Sequence, residues 1–301
     1  MILKEQNHPN GEVFAFNDMK YEKENDDVYT IHAMLNDKAG NKSEANIVYS
    51  VNRFGSTYMF SDSLSKMVNK QYNKKGQEVI FNELNVNQLV ESFVKLSING
   101  QIRELRKDID YSVTETREKA WYNYTYKLKS SLFEKDGIYR IIITSKDAAG
   151  NINENIIEDK QASINFVIDK TAPAIAINNL KSNNIYDEAI KKVEISVEDN
   201  LMLDSTEVLL NDKKIEVQSI DENNLVCSVP EKNTVQNLKV IVLDKAGNKS
   251  VKEVNNFTVS SNIFVRWYLN KPLFIGSLAI ICFVILIIVL MYLKRNKITE
   301  N

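Results

Sequence analysis

The sequence predicts an all-β fold, divided into successive small domains and followed by one apolar helix. Three observations carry this. A five-residue stretch recurs as Asp37-Lys38-Ala39-Gly40-Asn41, Asp147-Ala148-Ala149-Gly150-Asn151 and Asp244-Lys245-Ala246-Gly247-Asn248, with its aspartates 110 and 97 residues apart. Apolar and polar residues alternate before each copy. Residues 273–293 contain no charge.

Asp at the first position of the repeat and Gly at the fourth suit a type I turn. The Asp side chain accepts hydrogen bonds from backbone amides further on, and Gly takes the positive φ that follows such a turn. The product is a hairpin with a bulge. Before the first copy, Tyr29, Ile31, Ala33 and Leu35 alternate with Thr30, His32, Met34 and Asn36. Tyr139, Ile141, Ile143 and Ser145 hold the same parity before the second, and Leu238, Val240 and Val242 before the third, with Gln236 where the tyrosines stand. Period-two alternation of this kind is a half-buried strand. Second strands are expected at 47–51, 164–168 and 257–259, so each copy reads as the last hairpin of a domain. The candidate turn residues are Asp37, Gly40, Asn41, Asp147, Gly150, Asn151, Asp244, Gly247 and Asn248.

A length of 301 residues suits two to three domains. The net charge of −2 argues for neither nucleic acid nor an acidic substrate. Cys227 and Cys282 cannot pair, because the second lies inside the apolar run. A β-rich exterior without disulfides suits the surface of a Gram-positive bacterium.

Residues 1–55 read as the C-terminal part of a truncated domain. At an offset of 110 residues Phe14 falls on Tyr124, Phe16 on Tyr126 and Tyr29 on Tyr139, with strands expected over 12–16, 28–36 and 41–51. So few strands bury one face only against something else. No apolar signal segment follows Met1, so the true start is expected further upstream; the alternative is a degenerate N-terminal cap that packs on the next domain. Residues 56–170 read as a full domain. It has a short helix at 62–68, a hairpin at Asn99-Gly100, and an aromatic strand of Trp121, Tyr122, Tyr124 and Tyr126 that fills a core. Ser131–Glu134 resembles a capping box, so one helical turn is expected to cross between the sheets there. Asp169-Lys170-Thr171-Ala172-Pro173 closes this domain and stiffens the start of the next, 171–260. A juxtamembrane segment, 261–271, leads to a transmembrane helix, 272–293, and a cytoplasmic tail, 294–301. The 21 uncharged residues 273–293 span roughly 30 Å, the thickness of a bilayer core. Trp267, Tyr268 and Tyr292 stand where interfacial aromatics belong, and Lys294, Arg295 and Lys297 mark the cytoplasmic side, which puts the β-domains outside.

The pattern Asp-Gly-x-Tyr, alternating strand, Asp-x-Ala-Gly-Asn, strand, Asp-Lys-Thr-Ala-Pro-x-Ile resembles the tandem bacterial Ig-like domains of Gram-positive surface proteins. It is clear over 11–52, 136–177 and 236–259. The resemblance implies tandem Ig-like β-sandwich domains followed by a single C-terminal transmembrane helix. It implies stalk or adhesion modules facing a surface ligand, protein or glycan. Tyr29 and Tyr139 resemble the tyrosine corner of such sandwiches, where the hydroxyl bonds back to the preceding crossover. The sequence departs from the pattern in lacking a Leu-Pro-x-Thr-Gly sorting signal, so the helix itself would hold the chain.

Catalysis needs convergent groups, and the only histidines are His8 and His32. There is no Gly-rich phosphate loop and no His-Glu-x-x-His motif. Calcium shared between turn aspartates and a linker carboxylate such as Asp169 would find too few ligands, since each turn supplies one Asp. No cofactor, metal or nucleic acid is expected. The reading is a non-enzymatic cell-surface protein. The alternative is the membrane-proximal stalk of a larger surface glycosidase or protease. A signalling receptor would need a membrane partner, because the tail of eight residues is too short to be a domain.

Overall fold

Period-two alternation becomes sheet along most of the chain. Tyr139, Ile141, Ile143, Ser145 and Asp147, on one side of the Gly137–Asp147 strand, are each at most 1% exposed, while Ile138 on the other side is 57% exposed. In this computed structural model the described backbone covers residues 3–8, 11–16, 20–118, 120–157 and 162–299, and the described side chains cover 20–117, 120–157 and 162–292. The chain divides into two compact units, Met1–Lys170 and Thr171–Asn301.

The first unit contains a β-sandwich. One sheet runs in the order Tyr111–Glu118, Trp121–Leu128, Val79–Asn85, Thr57–Phe60. The other runs Tyr72–Asn73, Ile164–Ile168, Gly137–Asp147, Leu89–Ile98, Gln101–Glu104, with Ile152–Glu154 also paired to Gly137–Asp147. Val79, Phe81, Tyr126 and Leu128 of the first sheet meet Leu96, Ile141, Ile164 and Phe166 of the second in one core. Full burial of each such side chain stabilises by about 1.5–3 kcal/mol. Helix α1 (Asp62–Lys70), capped by Ser61 Oγ accepting from the Leu64 amide, adds Leu64 and Met67 to that core.

Positive φ at Asn99 (51°) and Gly100 (85°) makes the tight turn between Leu89–Ile98 and Gln101–Glu104. The capping box expected at Ser131–Glu134 does not form. The helical turn expected there does form, as a 3₁₀ turn over Ser130–Phe133, with Lys129 at its N-cap and no side-chain cap bond. Phe133 is drawn inward to pack edge-on against Tyr139 and Phe166, and that packing sets the backbone there. The strand expected after the second turn forms over Ile164–Ile168, against the near half of Gly137–Asp147, and a further strand, Ile152–Glu154, pairs with the far half.

The N-terminal part of this unit is two hairpins. Leu3–His8 pairs with Gly11–Phe16, and Asp27–Asn36 with Lys42–Val51. The Leu3–His8 strand lay outside the sequence expectation. The Leu3↔Phe16 register is the Val113↔Tyr126 register shifted by 110 residues. Leu35 (67%) and Ile47 (59%) are exposed, because among the described residues no second sheet covers this hairpin. The side chains of His8, Phe14, Phe16, Lys294, Arg295 and Lys297 lie outside the described residues.

The second unit is another sandwich, with sheet orders Ala174–Ile177, Ile190–Glu198, Asn224–Pro230, Val217–Ser219 and Ile185–Tyr186, Lys249–Val259, Gln236–Asp244, Leu203–Leu210, Lys213–Lys214. Val193, Ile195, Cys227 and Val229 pack against Val208, Val240, Val242 and Phe257. Two helices follow, α2 (Ile263–Leu269) and α3 (Lys271–Thr299). Within Lys271–Tyr292 of α3 an 18-residue window reaches a mean hydropathy of 3.3, with none of it buried.

Candidate functional site: repeated turns and their polar clamps

The three turns share one geometry. Gly40, Gly150 and Gly247 stand at φ 89°, 94° and 92°. Their amides donate to the carbonyls of Asp37, Asp147 and Asp244 at 3.1, 3.0 and 3.0 Å. In each turn the Asp Oδ1 accepts from the backbone amide of the Asn, at 2.8, 2.9 and 2.8 Å. In each the Asp Oδ2 accepts from the Asn side-chain amide, at 2.6, 3.0 and 2.8 Å. Asn41, Asn151 and Asn248 therefore close a ring with their aspartates. The side-chain amide of Asn41 is the main cause that holds the Asp37 carboxyl below the usual carboxylate range. Sequence reasoning gave the Asn no role of its own, although its recurrence in all three copies was the available signal.

The second turn does more. Asp147 Oδ2 also accepts from Asn52 Nδ2 at 2.9 Å and from Asn85 Nδ2 at 3.1 Å. Asn151 Nδ2 returns to the Asn52 carbonyl at 3.1 Å. The next residue, Arg53, is held as firmly. Asp26, 5% exposed, accepts from the amides of Arg53 and Phe54, both at 2.8 Å, and from Arg53 Nε at 3.1 Å. The Arg53 guanidinium lies 5.0 Å from the Tyr21 ring centre. Trp121 Nε1 donates to Asp27 Oδ1 at 2.9 Å, joining the aromatic strand to the N-terminal hairpin. Residues 52–54 are thus fixed by charge-assisted bonds on both sides, which makes a stiff joint within the first unit.

Beneath this joint lies a buried carboxylate. Glu83, 0% exposed, accepts from Ser56 Oγ at 2.5 Å, from Tyr126 OH at 2.9 Å and from Ser145 Oγ. Ser56 in turn accepts from Asn85 Nδ2 at 2.9 Å, and its amide donates to Asn153 Oδ1 at 2.8 Å. The network ties strands of both sheets to the joint. Burial, and then the Glu83 charge, push the hydroxyls of Tyr58 and Tyr126 up. Sequence reasoning missed Glu83, although it stands on the inward parity of Val79, Phe81, Glu83 and Asn85.

The two predicted tyrosines make the same bond. Tyr29 OH donates to the Asn25 carbonyl and Tyr139 OH to the Lys135 carbonyl, each at 2.7 Å and four residues upstream. Gln236 does comparable work in the last domain, donating to the Pro230 carbonyl at 3.2 Å and accepting from the Val259 amide at 3.4 Å. In the aromatic strand Tyr124 and Tyr126 are buried and Trp121 and Tyr122 half-buried, so most of its aromatic surface is core. His32 shares a hydrogen bond of 2.5 Å with Asn46 on the outer face of its hairpin.

Two sandwiches, each closed by the same turn, define the class: this is a protein of tandem Ig-like domains, followed by one apolar helix of membrane-spanning length. Residues 162–261 match the family described as bacterial Ig-like domain. No curated protein matches the chain. Among solved structures the chain is similar to the fibronectin(III)-like modules of Clostridium thermocellum CbhA, at 11% identity and TM-score 0.31 over 68% of this chain and 94% of that one. It is also similar to the full ectodomain (Ig1–Ig3) of mouse nectin-like molecule 4, at 10% identity and TM-score 0.33 over 69% and 66%. Murine CEACAM1b gives 11% identity and TM-score 0.32 over 68% and 100%. Superpositions this loose carry no argument about ligand or partner.

Proposed function

We propose that the chain is a non-enzymatic cell-surface protein whose Ig-like units stand outside the membrane on a single C-terminal anchor, as stalk or adhesion modules. The observation that carries this reading is α3. Over residues 275–292 its apolar side chains are uncovered, with Ile280, Phe283 and Tyr292 each more than 60% exposed. A core helix would be covered by protein; a helix of this length with no polar face fits a bilayer core. Lys294, Arg295 and Lys297 follow it, and the positive-inside rule then sets the β-domains outside.

The stiff joint at Asn52–Phe54 supports a spacer role, since a stalk transmits position only if its connections do not bend freely. The division 1–55, 56–170 and 171–260 belongs to the same proposal, with the Asp–Asn turns and the Tyr29 and Tyr139 bonds as the closing corners of its domains. The 110-residue identity of register between Leu3↔Phe16 and Val113↔Tyr126 supports reading 1–55 as the later part of an Ig-like unit. The partner of such a surface is a protein or glycan ligand.

Cysteine labelling on intact cells tests the arrangement. With Cys282 replaced by Ser, Lys38→Cys is expected to react with a membrane-impermeant maleimide, and Lys297→Cys only after lysis. The opposite pattern refutes the proposed orientation, and loss of the protein from the membrane fraction refutes the anchor.

A further inference from the structure

Helix α2 is too apolar for a simple connector. Asn262 caps it, with its Oδ1 accepting from the Phe264 and Val265 amides at 2.9 and 3.4 Å. Asn270, at φ −77° and ψ 84°, breaks it from α3. Trp267 then folds onto the first turns of α3: its Nε1 donates to Ser277 Oγ at 2.8 Å and its ring meets Phe274 edge-on at 4.8 Å. Lys271 lies 4.6 Å from the Tyr268 ring centre. Ile263 and Phe264 are left 65% and 75% exposed.

Between α2, the start of α3 and Ile185 of the preceding sandwich runs a groove of about 720 Å³, walled by Ile185, Ile263, Phe264, Trp267 and Leu273, with Arg266 as its charged member. Arg266 is held by an ion pair with Asp187. Among the residues that wall the groove Arg266 is the one cation, and an anionic oxygen is the group that best suits a guanidinium. Leu273 belongs both to the groove and to the uncovered apolar face of α3, so the groove opens onto the surface read above as lipid-facing.

We propose that this groove binds one phospholipid, its phosphodiester seated beside the Arg266 guanidinium and one acyl chain lying along Phe264, Trp267 and Leu273. The proposal rests on the membrane-anchored reading. Two features favour lipid over a peptide: the groove is continuous with the apolar helix, and Arg266 and Lys271 supply positive charge beside it. Phe264 and Trp267 are the side chains expected at the headgroup boundary. The Asp187–Arg266 pair would hold the last domain in one orientation over that lipid.

Native mass spectrometry of the full chain in non-ionic detergent, titrated with dioleoyl-phosphatidylglycerol, tests this. One lipid is expected to stay bound at low excess. Arg266→Gln is expected to weaken retention about tenfold, the order expected for one charge-assisted hydrogen bond. Asp187→Asn frees the guanidinium without removing it and is expected to retain the lipid. Phe264→Ser, at an exposed position, is expected to weaken retention without disturbing the fold, so the acyl contact is read even if Arg266→Gln misfolds. Millimolar inorganic phosphate is expected not to compete. Equal retention by the parent, Arg266→Gln and Phe264→Ser overturns the proposal, as does displacement by inorganic phosphate. Flotation of the parent chain with phosphatidylglycerol–phosphatidylcholine vesicles separates the two readings. A chain that fails to float overturns the anchor as well, whereas one that floats with unaltered retention in both variants overturns the groove alone.

Discussion

The side-chain amide of Asn52 donates to the Asp147 carboxylate at 2.9 Å across 95 residues of chain. The same oxygen receives Asn85 at 3.1 Å and Asn151 at 3.0 Å, so it is fully engaged by amide donors. Asn52→Asp would set a second carboxylate against the first in a partly buried site. Desolvation and like charge then act together, and a loss of about 2–4 kcal/mol is expected; Asn52→Ala should cost about 1–2 kcal/mol. Trp121 and Trp267 are the only tryptophans. Urea unfolding of the full chain followed by Trp121 fluorescence, in a Trp267→Phe background, reads this directly. A parental midpoint for Asn52→Asp would show that the joint is not held by this bond.

Gly150 holds φ 94° with nothing within 4 Å of where a Cβ would stand. Any penalty for a side chain there is conformational and not a clash. Gly150→Val should lower the stability of the sandwich that holds it by about 1 kcal/mol or more, because a β-branched residue at positive φ is strained. Gly150→Asn should cost less, since Asn tolerates the left-handed region. Equal melting of the Val and Asn variants would contradict a left-handed requirement.

Glu83 accepts from three hydroxyls with no exposure to solvent. Glu83→Ala strands those donors and opens a cavity, with an expected cost of about 3 kcal/mol or more. Glu83→Gln preserves shape and an acceptor, and should cost about 1–2 kcal/mol. The Trp121 urea transition orders the two, and a Gln variant as damaged as the Ala variant would mean that charge, not occupancy, holds the network.

Burial pushes the Cys227 thiol up to about 11 from an ordinary value of 9.0. The folded state thus favours the neutral thiol. Its contribution to stability is complete below pH 9, and it is lost as pH rises from 9 to about 11, where the unfolded chain has ionised and the folded thiol has not. Hydrogen exchange over Ile190–Glu198 and Asn224–Pro230 is expected to show falling protection across that window, with a shallower fall in Cys227→Ala. Rapid alkylation of Cys227 in the folded protein at pH 8 would contradict the burial.

Much of the local structure was legible beforehand. The Asp–Gly spacing marks each turn because only a few residues tolerate its backbone, and positive φ at Asn99 and Gly100 follows from the same rule. The core parity of Tyr139, Ile141 and Ile143 was legible because alternation is a geometric property of strands. At Ser131–Glu134 the helical turn was legible but its cap was not, because the pull of Phe133 into the aromatic cluster outweighs a single capping bond. Glu83 escaped attention because a charged residue in a strand is normally read as facing water. Leu35 and Ile47 match the pattern of a buried hairpin but are exposed, since burial requires an opposing sheet that no local pattern contains.

By itself the sequence determined where strands turn, which face of each is apolar, and which helix is free of charge, because these depend on residues close together along the chain. Only the tertiary structure decided which distant groups meet: Asn52 with Asp147, Ser56 and Ser145 with Glu83, and Arg266 with Asp187. Those partners are set by how sheets stack and helices fold back. A side chain's hydrogen-bonding capacity is visible in its formula, but the donor or acceptor that satisfies it is chosen by packing.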